Sequence, residues 1–340
     1  MNTKNRFWTP LFLLVLLIAL AGWFYSEHPP VSASATEQPV TILELTGPVA
    51  VPEAELSGLG WHGETLILLP QYPERFGEGD GAVFALPKAD IIAALDGKTP
   101  LEPTPILLSA TGLKESIPNF QGYESIAFNG DQVFLTIEAG EGTDMHGYLV
   151  SGEISADESM ISLDASNVVE IPMAFPSDNH TDEAILLMNG QVLTFFEING
   201  AGLNPAPVAH AFDFDLKPLG TVSLPNLEYR LTDAAPESGN TFWVINYFFP
   251  GDTDIAPGSD PIAEKYGKGP THIEHAQVER LVEMNYSADG IHLANSAPIQ
   301  LNLDGDNARN LEGLALLDEQ GFLLVTDKFP YTLLIFVPKP

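Results

Sequence analysis

The sequence predicts an all-β fold, a five-bladed β-propeller with four-stranded blades, ring closed by the N-terminal strand and preceded by one apolar N-terminal segment. Three observations predict it. A motif of polar start, short strand, turn and second apolar strand recurs five times along the chain. Gly (29) and Pro (28) are spread throughout, which suits many short strands joined by tight turns. Long amphipathic helical patterns are scarce, although a hydrophobic content of 45% is ample for a core.

The elements follow in order. Lys4 and Arg6 precede the apolar run "FWTPLFLLVLLIALAGWFY" at 7–25. Its length is near the minimum for a membrane span, and the basic flank places the N-terminus inside and the rest outside. A small-x-small cleavage pattern, "VSASA" at 31–35, lies far beyond the apolar run. The expectation is an uncleaved anchor holding an exported protein on the outer face of the cytoplasmic membrane, with secretion the result of cleavage. The division is 1–25 anchor or signal, 26–39 flexible tether and 40–340 propeller domain.

The strand "VTILELT" at 40–46 has no blade of its own. The five copies begin at Ser57, Glu124, Glu183, Thr232 and Glu312. The pattern "KADIIAALDG" reads as a short helix after the first copy. Two further strands follow each of the next three copies: 147–154 and 167–173, 209–216 and 220–226, 278–286 and 297–303. The last copy has only one more, at 332–338, so the orphan strand at 40–46 completes its blade and closes the ring.

Charge and composition narrow the partners. Fourteen basic residues face 46 acidic ones, a net charge of −32, which repels nucleic acid and anionic lipid. The surface is self-repelling, and the chain is expected to be monomeric. With no cysteine, thiolate metal sites and thiol nucleophiles are excluded. No GxSxG elbow, P-loop or HExxH occurs.

In a propeller the first strand of each blade lies next to the axis. Ser57, Glu124, Glu183, Thr232 and Glu312 would therefore ring the mouth of the channel, and Gln71, Glu138, Glu197, Tyr247 and Asp327 would form a wider ring. Three carboxylates roughly 5 Å apart repel by about 3 kcal/mol per pair at an effective dielectric near 20. Such a ring must protonate in part or hold a cation, and hard oxygen donors suit Ca²⁺.

The phrases "ELSGL" at 55–59, "YESIAF" at 123–128 and "LEGLAL" at 311–316 resemble the inner-strand motifs of the calcium-activated nucleotidases (apyrases). Phytase-like propellers share the "EGLA" start. The apyrase resemblance implies five blades and one central Ca²⁺ on a ring of Ser, Glu, Glu, Ser and Glu. The order here is the same except for Thr232. The match covers about five residues per blade, so it implies fold and metal more than substrate.

Seven basic residues fall in loops expected beside the mouth: Arg75, Lys114, Arg230, Lys265, Lys268, Arg309 and Lys328. They suggest a small anionic substrate such as a phosphate ester. Glu197, Asp327 and His180 are the candidate acid–base groups. "HIEH" at 272–275 offers only a weak metal pattern. Three functions are consistent with this pattern: a calcium-dependent hydrolase of phosphate esters or anhydrides, a non-catalytic display propeller with structural calcium, and a calcium-dependent lactonase or esterase.

Overall fold

The computed structural model describes residues 35–97 and 99–340. The apolar run at 7–25 and the tether residues 26–34 lie outside the described residues. Among the described residues no helix is long and apolar enough to cross a membrane.

Two short strands come first, β1 (Glu37–Gln38) and β2 (Thr41–Leu43). Antiparallel meanders follow. The first comprises β3 (Leu56–His62), β4 (Thr65–Pro70), β5 (Ala82–Pro87) and β6 (Thr104–Ser109), with helix α1 (Lys88–Gly97) between the last two. Helix α2 (Leu113–Ser116) leads into β7 (Phe120–Asn129), β8 (Gln132–Glu141), β9 (Asp144–Ile154) and β10 (Met160–Ile171). Next come β11 (Asp182–Met188), β12 (Gln191–Phe196), β13 (Val208–Phe212) and β14 (Pro218–Ser223). The fourth meander has β15 (Arg230–Pro236) and β16 (Thr241–Phe248), then helices α3 (Pro261–Tyr266) and α4 (Pro270–Glu274), then β17 (Val278–Ser287), β18 (Gly290–Leu293) and β19 (Ile299–Leu301). The last is β20 (Leu311–Leu317), β21 (Gly321–Thr326) and β22 (Leu334–Pro338).

The first strands neighbour one another in succession: β3 lies against β7, β7 against β11, β11 against β15, β15 against β20 and β20 against β3. This is a propeller-type arrangement. Strand β2 pairs antiparallel with β22, Thr41 opposite Phe336 and Leu43 opposite Leu334.

Two features differ from the expected plan. The strands form four hydrogen-bonded sheets, because β6 and β10 pair in parallel at the outside and fuse the first two meanders into one eight-stranded sheet. Ile161 and Ser162 of β10 pair with β6 on one edge and with β9 on the other. The tether also ends earlier than expected. Glu37–Gln38 pairs in parallel with β19, and the Glu37 carboxylate accepts hydrogen bonds from the Thr271 and His272 amides at the start of α4. His272 Nδ1 lies 2.9 Å from the same carboxylate. Burial opposes the Glu37 charge, but these contacts outweigh it and hold its carboxyl below the ordinary range.

Apolar clusters lie between consecutive meanders, with α1 adding Ile91 and Ala94 to the one joining the last to the first. Strands covered on both faces read as continuous apolar runs: every residue of β21 is buried. Each fully buried Leu, Ile or Phe contributes about 1.5–3 kcal/mol. Tight hairpins set the register, as where Asn189 (φ 53°) and Gly190 (φ 74°) join β11 to β12.

Gly313 sits where β20 closely approaches both its own second strand and β3. A Cβ there would lie 2.6 Å from Val325 Cγ2 and 3.0 Å from the Leu59 nitrogen. Gly313→Ala is expected to cost about 1–3 kcal/mol through overpacking, measurable as a lower urea midpoint with unchanged slope.

Candidate functional site: an acidic mouth with a partly buried arginine

The five residues expected on the inner ring share one backbone feature. In every meander the pairing of first and second strands shifts register where that residue sits. The shifts fall between Leu56 and Gly58, Tyr123 and Ile126, Asp182 and Ala184, Leu231 and Ala234, and Leu311 and Gly313. Ser57, Glu124, Glu183, Thr232 and Glu312 lie inside these irregularities. A bulge re-aims the side chain it carries.

The two hydroxyls stitch neighbouring first strands together. Ser57 donates to the Tyr123 carbonyl at 2.7 Å, and Thr232 donates to the Leu311 carbonyl at 2.5 Å. Glu124 accepts from Gln71 Nε2 at 3.1 Å. Burial pushes the Glu124, Glu183 and Glu312 carboxyls well above the ordinary range, and nearby acids push the same way. Glu197 and Glu124 act on both Glu183 and Glu312, so the ring carboxylates feel one another. Glu183 Oε2 is buried without a hydrogen-bond partner.

The outer ring meets the inner one across adjacent meanders. Glu138 accepts from Thr181 Oγ1 at 3.4 Å; burial and then Glu197 push its carboxyl up to about 7. Asp327 is also raised by burial, with Asn310 Nδ2 at 3.4 Å. Glu197 is fully buried and receives the Arg230 guanidinium on Oε1. His180 Nε2 lies 3.9 Å from its other oxygen, while Ser177 Oγ is 2.8 Å from His180 Nδ1. The candidate acid–base pair His180 and Glu197 is thus brought together.

Arg230 changes the charge balance that the sequence implies. Its guanidinium is paired with Glu197 and, at 2.8 Å, with Asp252. Burial opposes its charge, but Glu197, Glu183, Asp252 and Glu312 outweigh that and hold it above the ordinary arginine range. The mouth therefore contains a cation of its own. Among the described residues, no three His, Asp or Glu side chains are arranged to hold a metal ion.

The remaining basic residues are mostly engaged with other groups of the chain. Arg309 is buried against Glu279 at 2.6 Å, and Lys114 pairs with Glu74 at 3.0 Å. Lys265 lies over the Tyr266 ring. Lys268 acts on Asp260 and His272 rather than on the mouth carboxylates. Arg75 and Lys328 share Glu55, at 2.7 and 3.5 Å, and both side chains stay substantially exposed. Glu55 and Lys328 act on Asp327, which places this pair at the rim of the mouth. The "HIEH" run forms α4, where His272 serves Glu37.

Sequence reasoning missed Asp252 as a partner of Arg230 and Glu55 as the anchor of the rim cations. It placed Glu138 in the outer ring without seeing that its environment sets it near neutrality. The one available signal was Arg230, a rare basic residue two positions before the ring residue Thr232.

No protein-family model matches this chain, and no curated protein matches it. Solved structures resemble its course. A GH43 endo-arabinanase from Bacillus licheniformis superposes with a TM-score of 0.47 at 13% identity, covering 87% of this chain and 96% of that one. An α-L-arabinofuranosidase from Clostridium thermocellum gives 0.46 at 11%, covering 80% and 81%. A GH43_1 enzyme from Xanthomonas citri gives 0.47 at 10%, covering 86% and 91%. The activity in each name belongs to that protein.

Proposed function

We propose that this chain is an exported five-bladed propeller, closed by β2 on β22, whose acidic mouth binds one hard divalent cation and hydrolyses a small phosphate ester or anhydride. The apolar run at 7–25 would anchor it to the outer face of the membrane. The observation that carries the reading is the repeated bulge, which re-aims Ser57, Glu124, Glu183, Thr232 and Glu312 from five successive first strands. The donors are all oxygen, one buried carboxylate oxygen is unpartnered, and the ring holds more acid than Arg230 neutralises. That chemistry fits Ca²⁺ better than zinc.

Ser57, Glu124, Glu183, Thr232 and Glu312 would hold the ion, which requires the three glutamates to close on it, since among the described residues no three acids are already arranged around one point. Bound calcium would neutralise the ring and polarise a substrate oxygen. The chain's own residues supply the rest. Arg230 fixes Glu197, whose free oxygen and His180 form a proton-accepting pair. Glu138, raised to about 7, holds or releases a proton at neutral pH. Arg75 and Lys328 at the rim would receive an anionic group.

A second reading is favoured by the pairing of most basic residues: acid–base hydrolysis of a neutral substrate between Glu138 and Glu197. One screen separates the two. Nucleoside diphosphates, phytate, phosphomonoesters, lactones and aryl glycosides are assayed with Ca²⁺ or with chelator. Calcium-dependent turnover of a phosphate substrate, reduced at least about tenfold by Arg75→Ala with Lys328→Ala, is expected. Turnover confined to neutral substrates would transfer the assignment to the second reading. Inactivity on all of them would leave a calcium-binding display propeller.

A further inference from the structure

The opposite end of the axis holds a separate chamber. The first strands run on from the mouth to a cavity of about 300 Å³. Leu59, Ile126, Ile185, Ala234 and Leu314, one from each first strand, line its inner part. Trp61 and Phe128 line it further along β3 and β7.

A tightly packed layer lies between it and the mouth. A Cβ on Gly58 would lie 3.1 Å from Ser125 Cα, so β3 and β7 touch backbone to backbone. Asp233 is buried in the same layer. Its Oδ2 accepts from the Leu314 amide at 2.6 Å and its Oδ1 from Ser125 Oγ at 3.2 Å, tying three first strands together. This layer forms the floor of the chamber, which has the form of a cup.

Its edge is acidic. Glu237, Asp318 and Glu319 line it. Lys339 contacts Glu237 and lies 3.6 Å from Glu319. Lys88 lies 2.9 Å from Asp318 and 3.2 Å from Glu64. The three edge carboxylates, with Glu64 beside them, thus share two ammonium groups, leaving an excess of negative charge over an interior walled mainly by apolar side chains.

We propose that this cup binds a small amphiphilic cation, a primary ammonium carrying an alkyl or aryl body. An apolar cavity of about 150 Å³ accepts benzene, so this one has room for a body of roughly ten non-hydrogen atoms. The apolar walls take the body, and the acidic edge selects the ammonium over a carboxylate. The site is independent of the mouth chemistry.

The test is calorimetric titration of the full chain with octylammonium, octanol and octanoate, in the presence of chelator. Octylammonium is expected to bind at one site, about fivefold or more tighter than octanol, with octanoate weakest. Asp318→Asn with Glu319→Gln should bring octylammonium and octanol within about twofold of each other. Ala127→Trp, which fills the cup, and Ser238→Trp, which narrows its opening at an exposed position, should each weaken binding about tenfold or more. The Ser238 variant keeps the test valid if the Ala127 variant does not fold. Octanoate binding as well as octylammonium, no saturable binding, or binding indifferent to the tryptophan variants would overturn the proposal.

Discussion

Arg230→Gln is expected to lower stability by about 3–5 kcal/mol at pH 8. The guanidinium is the counter-ion of a fully buried Glu197 and acts on Glu183 and Glu312 as well. Its removal leaves a buried carboxylate without its guanidinium partner, and Glu183 and Glu312 lose a cation that offsets their repulsion. At pH 5 the loss should be much smaller, because the stranded carboxylates can take up protons and become neutral. Urea denaturation at the two pH values measures both effects. An equal loss at pH 5 and pH 8 would mean that Arg230 acts through packing rather than charge.

Without added divalent cation, the wild-type protein is expected to be more stable at pH 5 than at pH 8. A carboxyl with a raised folded pKa binds more protons in the native state than in the unfolded one. Stability is then fully present below the unfolded value and is lost as pH rises through the folded value. For Glu138 this window runs from 4.5 to about 7. One such shift corresponds to about 3 kcal/mol. Glu124, Glu183 and Glu312 shift in the same direction. Saturating Ca²⁺ should restore stability at pH 8, by about 2.7 kcal/mol at a hundred times its Kd, and should flatten the pH profile. Glu183→Gln should raise stability at pH 8 in chelator and weaken the calcium response. Thermal melts across pH 4.5–8.5, with calcium or chelator, test this. A melting temperature that ignores calcium at pH 8 would remove the cation from the proposal.

Much of this architecture was legible in the chain because it repeats. A polar residue at the start of an apolar strand means little once, but five copies in matched positions imply a common placement. The strand pairs and the α1 helix follow from local patterns of two kinds, apolar runs and Gly- or Asn-containing turns, while the pairing of 40–46 with 332–338 follows from the count of strands, and only the structure shows it to be antiparallel. The bulges at Ser57, Glu124, Glu183, Thr232 and Glu312 could not be read, since a bulge is a mismatch between two strands and belongs to neither alone.

Long-range partners were decided by packing. Glu37 meets His272 across a separation of 235 residues, and nothing near either position announces it. The β6–β10 pairing depends on how two meanders sit edge to edge. Charge shows the same division most clearly. The sequence by itself determined that acids outnumber bases and that three glutamates recur at strand starts. The tertiary structure decided which bases are spent on which acids: Arg309 on Glu279, Arg75 and Lys328 on Glu55, and Arg230 on Glu197. The physical reason is that a carboxylate's worth depends on its solvation and on charges within a few ångströms, and both are set by folding.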